Sequence, residues 1–432
     1  MTAVVTTEAR HVPRRRWGIA FLLGFGVLVN YFDRVNLSVS QEALHAAFGI
    51  STVTFGYLLS TYSWTYAALQ LPSGLLLDRF GVKLVGRIAA LLWSAASFAA
   101  AISTGLVSFL GARLLLGVGE APTFPGNAKA IGYWFPSGER SLATAIFDSA
   151  AKFSSAIGVP VLGVLLVRFG WRWSFAATGV ISLLYFILFF AFYRNPSEEK
   201  GLSQTERDFI LQNGAQREDR FQAGKGAPLE YLLRQRKVWG LLLGFASYNY
   251  TFYLLLTWLP SYLSATHHID VLHSAFYTSI PWLFATFTDI FMGGWLVDEL
   301  VQRENDSSRV RQTILIAGTA LGLGMLGAAY AQSARGALLW ITVAIGGLSA
   351  AAPVAWSIPS LIAPRESVGT LGGIMNFGSQ LAAIAAPIAT GYIAQATNSF
   401  FWAFGAAAAF LAAGIAGYAF LLDRIEPIPE PS

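Results

Sequence analysis

Apolar residues in this chain come in runs of about twenty, separated by short polar breaks, and a helix needs about that length to cross roughly 30 Å of hydrocarbon. The rhythm predicts spans over 17–38, 53–77, 84–103, 106–134, 141–167 and 173–193, then over 238–263, 272–297, 313–331, 336–361, 369–394 and 399–421. No ten-residue alternation of the kind that builds a membrane barrel accompanies them. The prediction is an all-α polytopic membrane protein with twelve transmembrane helices.

A polar stretch, 195–237, separates the two sextets. It divides the chain into an N-terminal six-helix bundle (1–194), a cytoplasmic linker, and a C-terminal six-helix bundle (238–432). Within the linker, "SQTERDFILQ" sets Ser203 and Glu206 at capping-box spacing, which predicts a short surface helix. The halves also echo each other. "GLLLDRFGVK" closes the second span and "GWLVDELVQR" the eighth, with Gly74 and Asp78 matched by Gly294 and Asp298. Such an internal repeat predicts two pseudo-symmetric bundles with a substrate site near the midplane between them.

Composition agrees with the pattern: 55% of residues are hydrophobic and 12% charged, against about 25% charged in soluble chains. The first apolar run is longer than a signal-peptide core and leads straight into further spans, so no cleavable leader is expected. With no cysteine, and with His11, His45, His267 and His268 outside the predicted spans and His273 at the very start of one, disulfides, thiolate metal sites and an intramembrane histidine relay drop out. There is no HExxH, and no GxSxG within a span, so hydrolytic and zinc chemistry lack their parts and an enzyme is not expected. The net charge of +5 suggests nucleic acid at first sight, but the cations cluster in alternate loops. That alternation predicts both termini in the cytoplasm, with the lipid bilayer and not nucleic acid as the large partner.

Seven ionisable residues fall well inside predicted spans, away from their ends: Asp33, Arg34, Arg113, Glu120, Asp148, Lys152 and Asp289, with Lys129 nearer a span end. Unpaired, each costs about 2.5–3.5 kcal/mol at a helix centre, so pairing, hydration or protonation is required. At 100° per residue, Tyr31, Arg34 and Ser38 share one side of the first span, and Asp33 and Asn36 the other. Arg113, Gly117, Glu120, Phe124 and Asn127 line one stripe of the fourth span, and Thr144, Asp148, Lys152 and Ser155 one stripe of the fifth. Arg34 therefore faces a central cavity. Asp33 faces a neighbouring helix where Arg113 is level with it, and Glu120 and Lys152 lie deeper, at similar depth. Lys152 either meets substrate or pairs internally with Asp148 or Glu120. Asp289, without a charged companion in its own half, reads first as structural. The second half offers hydrogen bonders, among them Tyr248, Asn249, Tyr253, Trp356, Asn376 and Gln380, and Pro353 and Pro359 read as helix-breaking signals around Trp356.

"GLLLDRFGVK" resembles the loop-two signature of the major facilitator superfamily, G-x-x-x-D-R-x-G-x-[RK]. "YFDRVNLS" and "RLLLGVGEAPTFPGNAKAIGYWFP" resemble the first and fourth helices of its anion:cation symporter family, which includes bacterial galactonate:proton symporters, sialin and the vesicular glutamate carriers. The resemblance covers nearly the whole chain. It implies a monomeric carrier in a bacterial inner membrane, taking up a small organic anion (a sugar acid or a dicarboxylate) with protons by alternating access, and needing no cofactor. It assigns proton coupling to Asp33 and Glu120, and the substrate carboxylate to Arg34. Tyr31, Tyr66 and Asn376 would line the site, to which the charge and hydrogen-bond pattern adds Arg113, Lys152, Asn249 and Trp356. Gly74, Asp78, Arg79, Gly81 and Lys83 would form a conformational latch. One departure stands out: where galactonate-type carriers show a glutamine in helix five, this chain reads Ala151 then Lys152, which favours a more anionic substrate. The competing reading is an anion exchanger or potential-driven carrier with structural acids.

Overall fold

The computed structural model describes residues 13–136, 139–213, 215, 227–303, 306–364 and 367–430, among which there is no strand. The first half builds α1 (Arg15–Val39), α2 (Gln41–Phe48), α3 (Thr52–Ala68), α4 (Gln70–Ala101), α5 (Leu106–Glu120), α6 (Thr123–Trp134), α7 (Arg140–Phe169) and α8 (Trp171–Phe192). Two short helices follow in the linker, α9 (Gln204–Gln212) and α10 (Leu229–Leu233). The second half builds α11 (Arg236–His267), then α12 (Val271–Thr288), which continues through a π-helical segment, Asp289–Leu296, into α13 (Val297–Arg303). After these come α14 (Ser307–Gly322), α15 (Met325–Tyr330), α16 (Ala334–Ile362), α17 (Val368–Thr397) and α18 (Phe401–Ala416).

Nine stretches among the described residues are long and apolar enough to cross a membrane on those grounds alone. The other three crossings are α3 with the first part of α4, α5 with α6, and α11. Their apolar runs are diluted or broken by the polar residues they carry: Tyr62 and Tyr66, Arg113 and Glu120, Asn249 and Tyr253. Irregular or polar backbone at membrane depth survives only where it is covered by protein or faces a cavity.

The breaks fall at particular residues. Inside α4 the helix is interrupted by a kink at Gly81, whose φ of 76° suits glycine and strains a residue with a Cβ. Between α5 and α6 the break lies at Ala121 and Pro122, directly after Glu120. The expected break around Trp356 is absent. α16 runs unbroken through Pro353 and Pro359, because neighbouring helices tolerate the loss of a single main-chain hydrogen bond.

Both ends of the described chain lie at one end of the bundle, here the terminal end; the opposite one is the far end. At the far end the two halves touch. Tyr57 and Tyr392 share a hydroxyl contact of 3.2 Å, the Val53 amide donates to Gln395 at 3.1 Å, and Ser264 donates to Glu42 at 2.9 Å. A Cβ on Gly56 would stand 2.6 Å from the Pro387 carbonyl, so α3 and α17 meet backbone to backbone. Towards the terminal end the halves part. The Asn376 amide still donates to Gln70 at 3.3 Å, but one turn further on, Gly74, Gly372 and Gly373 have nothing within 4 Å of a Cβ position. Among the described residues, the contact between α3/α4 and α17 is closed at the far end and leaves open space around Gly74, Gly372 and Gly373 towards the terminal end.

The linker helix α9 starts as its sequence predicts, with Ser203 accepting from the Glu206 amide at 3.2 Å. It is not a free surface helix, however. The Glu206 carboxylate is fully buried, accepting from the Arg16 side chain at 2.9 Å and from the Arg15 and Arg16 amides at 3.3 and 3.1 Å. A carboxylate on the open amides of a helix N-terminus is favourably placed, and here it pins the linker to the first turn of α1.

Candidate functional site

Close helix packing places the buried charges. A Cβ on Gly117 would lie 2.1 Å from the Tyr62 carbonyl, and one on Gly119 2.6 Å from the Trp93 amide. These two glycines seat α5 against α3 and α4, and Thr65 fixes the contact by donating to the Leu114 carbonyl at 2.7 Å. Glu120 then ends α5 inside the protein with no exposed surface.

Arg34 meets it there. Its Nε and Nη2 donate to one Glu120 oxygen at 3.2 and 3.0 Å, Nη2 also reaches Asn30 at 2.6 Å, and Nη1 donates to the Tyr253 hydroxyl on α11 at 3.1 Å. Tyr62 donates to the same hydroxyl at 2.9 Å. The rings of Tyr31, Tyr62 and Tyr66 surround the guanidinium, 4.4, 4.9 and 5.4 Å from its central carbon. A planar cation in an aromatic cage, forked towards a carboxylate, is suited to holding a carboxylate.

Asp33 points the other way, as the helical angle predicts. Its carboxylate accepts from Ser97 on α4 at 2.7 Å and from Ser182 on α8 at 3.1 Å. Arg113 is level with it, but donates to the Asp33 main-chain carbonyl at 3.1 Å, while the carboxylate is taken by the two hydroxyls. The expected Asp33–Arg113 charge pair is thus replaced by a main-chain contact. Arg113 instead lies 5.5 Å from the Tyr62 ring, on the edge of the cage around Arg34.

The pairing of Lys152 also differs from one of the expected alternatives. Glu120 is taken by Arg34, and Lys152 lies 2.7 Å from Asp148 and 2.5 Å from Asp289. Asp289 does have a charged partner, in the opposite bundle, which a search of its own half could not reveal. Of the remaining expected residues, Asn249 is buried one turn before Tyr253 on the same face of α11, and Asn376 joins α17 to α4 through Gln70. Trp356 is 41% exposed and sets its ring edge-on against Phe245 at 5.1 Å. Tyr62, Asn30, Ser97 and Ser182 escaped sequence reading. The four-residue spacing of Tyr62 and Tyr66 was a usable signal; nothing distinguished the two serines.

At the terminal end, Lys83 pairs with Glu198 at 2.7 Å, tying α4 to the linker. Arg79 is exposed, with its guanidinium over the Phe80 ring. The side chains of Asp78 and Asp298 lie outside those described.

Comparison with known proteins follows the same lines. The sequence model of the Major Facilitator Superfamily matches residues 23–305. An uncharacterized transporter of Bacillus subtilis, YybO, is 38% identical over 414 residues, covering 96% of this chain and 95% of its own. A D-galactonate transporter of Escherichia coli O6:H1 is 32% identical, covering 90% and 92%. A probable galactarate/D-glucarate transporter of Bacillus subtilis, GudP, is 31% identical, covering 96% and 93%. Among solved structures, a bacterial homolog of the lysosomal transporter Spinster superposes with a TM-score of 0.75 at 17% identity, covering 96% of this chain and 99% of that one. The xylose transporter XylE of E. coli superposes with 0.73 at 17% identity, covering 96% and 97%. At such identities the superpositions speak for the fold.

Proposed function

The chain belongs to the Major Facilitator Superfamily, and on that premise we propose that this multi-pass membrane transporter carries a small organic anion inward together with protons. The substrate class is a sugar acid, either a monoacid of the galactonate kind or a diacid of the glucarate kind. The observation that carries this reading is the sharing of Arg34: one caged guanidinium, already committed to Glu120.

A substrate carboxylate that docks on Arg34 competes with Glu120 for the fork. A buried carboxylate that loses its cation takes up a proton, since desolvation then acts unopposed. Substrate binding and protonation of Glu120 are coupled by that competition, and no second ligand is needed to link them. Asp33, one residue before Arg34 but on the opposite helix face, is a second acid held off from water by Ser97 and Ser182. Tyr31, Tyr66, Asn249 and Asn376 supply donors and acceptors for hydroxyl groups, with Arg113 and Lys152 adding positive charge beside them and Trp356 an apolar wall. The open space around Gly74, Gly372 and Gly373 lies towards the terminal end, and the alternation of loop charges supports reading that end as the cytoplasmic one. Rocking of the bundles about the far-end contacts would alternate access, with Gly74, Asp78, Arg79, Gly81 and Lys83 holding the terminal face when it closes.

The test is uptake into proteoliposomes of galactonate, glucarate, glucuronate, a simple dicarboxylate and glutamate, with and without an inward proton gradient, for wild type and Asp33→Asn. Gradient-driven accumulation that disappears in Asp33→Asn while exchange persists supports proton symport. Gradient-insensitive uptake, unchanged in the variant, replaces it with an exchanger or potential-driven carrier.

A further inference from the structure

A second charged cluster bridges the bundles on the α7–α12 seam, apart from the Arg34–Glu120 pair. Lys152 is 4% exposed. Its ammonium lies 2.7 Å from Asp148, one turn back on its own helix, and 2.5 Å from Asp289 of the opposite bundle. Asp289 is 5% exposed and is the first residue of the π-helical segment that interrupts α12. Such segments widen the helix turn and concentrate at functional sites.

The cluster is not balanced. One ammonium faces two carboxylates, and of these Asp148 keeps 22% of its side chain exposed while Asp289 is buried, so the surplus negative charge falls on a carboxylate shielded from bulk water, a costly arrangement. The groups on the surrounding helices do not correct it. From α11 comes Tyr248; from α1 comes Tyr31, within electrostatic reach of both Lys152 and Arg34. α16, packed along the π segment, carries a single charge, Arg335, at its distant first turn. One proton on Asp289 would restore neutrality and leave the ammonium with a single partner.

We infer that Asp289 is a proton-accepting group whose protonation frees Lys152 to bind a second carboxylate of the transported acid, so that a diacid travels with one more proton than a monoacid. This rests on the organic-acid reading above. With Asp289 ionised, Lys152 is doubly occupied and the surplus charge repels an incoming anion. With Asp289 neutral, Lys152 accepts a carboxylate, and the proton leaves Asp289 when substrate and Lys152 separate on the other side. Only an O–H bond forms and breaks. Tyr31, between the two cations, and Tyr248 offer hydroxyls to the polyol between two terminal carboxylates. Because Lys152 and Asp289 belong to different bundles, the exchange also loosens a cross-bundle tie at the moment the site fills.

The experiment measures protons moved per substrate, with a pH-sensitive dye inside proteoliposomes, for galactonate and glucarate in wild type, Lys152→Gln and Asp289→Asn. Wild type is expected to move one more proton with glucarate than with galactonate, and Asp289→Asn to lose that extra proton. Lys152→Gln is expected to lower the glucarate-to-galactonate uptake ratio at least tenfold. Equal proton counts for the two acids in wild type, or an unchanged ratio in Lys152→Gln, overturns the inference. Should the variants fail to fold, wild type still decides. The thermal shift given by glucarate must fall more steeply from pH 6 to pH 8 than that given by galactonate, and parallel shifts overturn it. Wild type that takes up neither acid under any gradient overturns the organic-acid reading itself, a result distinct from losing the difference between the two acids.

Discussion

The Arg34 guanidinium on α1 holds the Glu120 carboxylate at the end of α5 by two hydrogen bonds, 3.0 and 3.2 Å long, while its remaining nitrogen reaches across to Tyr253 of the other bundle. The proposed proton site, the proposed anion site and an inter-bundle contact therefore share one side chain.

Glu120→Gln leaves Arg34 buried without its counter-charge. Breaking a buried pair from one side costs about 3–5 kcal/mol, so the substrate-free variant should melt well below wild type. A transported acid supplies the missing carboxylate, and by mass action it should raise the melting temperature of the variant more than that of wild type. Equal or smaller ligand shifts in Glu120→Gln would show that substrate and Glu120 do not compete for Arg34.

Arg34→Lys keeps the charge but loses the fork and the stack within the tyrosine cage. Charge-assisted hydrogen bonds contribute about 1.5–3 kcal/mol, and the two side chains do not substitute at forked, stacked sites. The apparent KM for the transported acid is expected to rise roughly 10- to 100-fold. Uptake kinetics in proteoliposomes measure it, and an unchanged KM removes Arg34 from the binding site.

Gly117→Ala puts a methyl 2.1 Å from the Tyr62 carbonyl and 2.2 Å from the Thr65 hydroxyl. Overpacking of this kind costs about 1–3 kcal/mol, and the shift of α5 carries Glu120 away from Arg34. Lower thermal stability and weaker substrate binding should appear together. Gly111→Ala, on the same helix with nothing within 4 Å, serves as the control and should be neutral or slightly stabilising. Two glycines that behave alike would deny the close approach any role.

Lys83 and Glu198 give a pH signature at the terminal end. Hydrogen bonding from the Lys83 ammonium holds the Glu198 carboxyl below its ordinary value of 4.5. The native state thus binds this proton less readily than the unfolded chain, and the stabilisation is present above about pH 4.5. It fades as pH falls through the lowered native value. Wild type should melt slightly above Glu198→Gln at pH 6 to 7, and the two curves should converge in acid. The pair is exposed, so added salt should shrink the gap. A gap that persists in acid assigns the effect to packing.

Some of this architecture could be read from the chain because it depends on local period and length. Runs of about twenty apolar residues without strand alternation had to be helical spans, since only helices and closed barrels satisfy their backbone hydrogen bonds in hydrocarbon. The opposed directions of Asp33 and Arg34 followed from 100° per residue, and the start of α9 from the Ser203 cap. What periodicity could not supply is partner choice between helices far apart in sequence. Depth along the membrane placed Arg113 level with Asp33, and Lys152 level with Glu120, but depth leaves rotation and lateral neighbour undetermined. Packing decided those. Gly117 and Gly119 drew α5 in until Glu120 reached Arg34, Ser97 and Ser182 took the Asp33 carboxylate, and the α7–α12 seam brought Lys152 to Asp289. Sequence by itself determined which charges lie within the membrane and which way each helix turns them. Only the tertiary structure decided which of them meet, because a contact between buried charges depends on how closely two backbones approach.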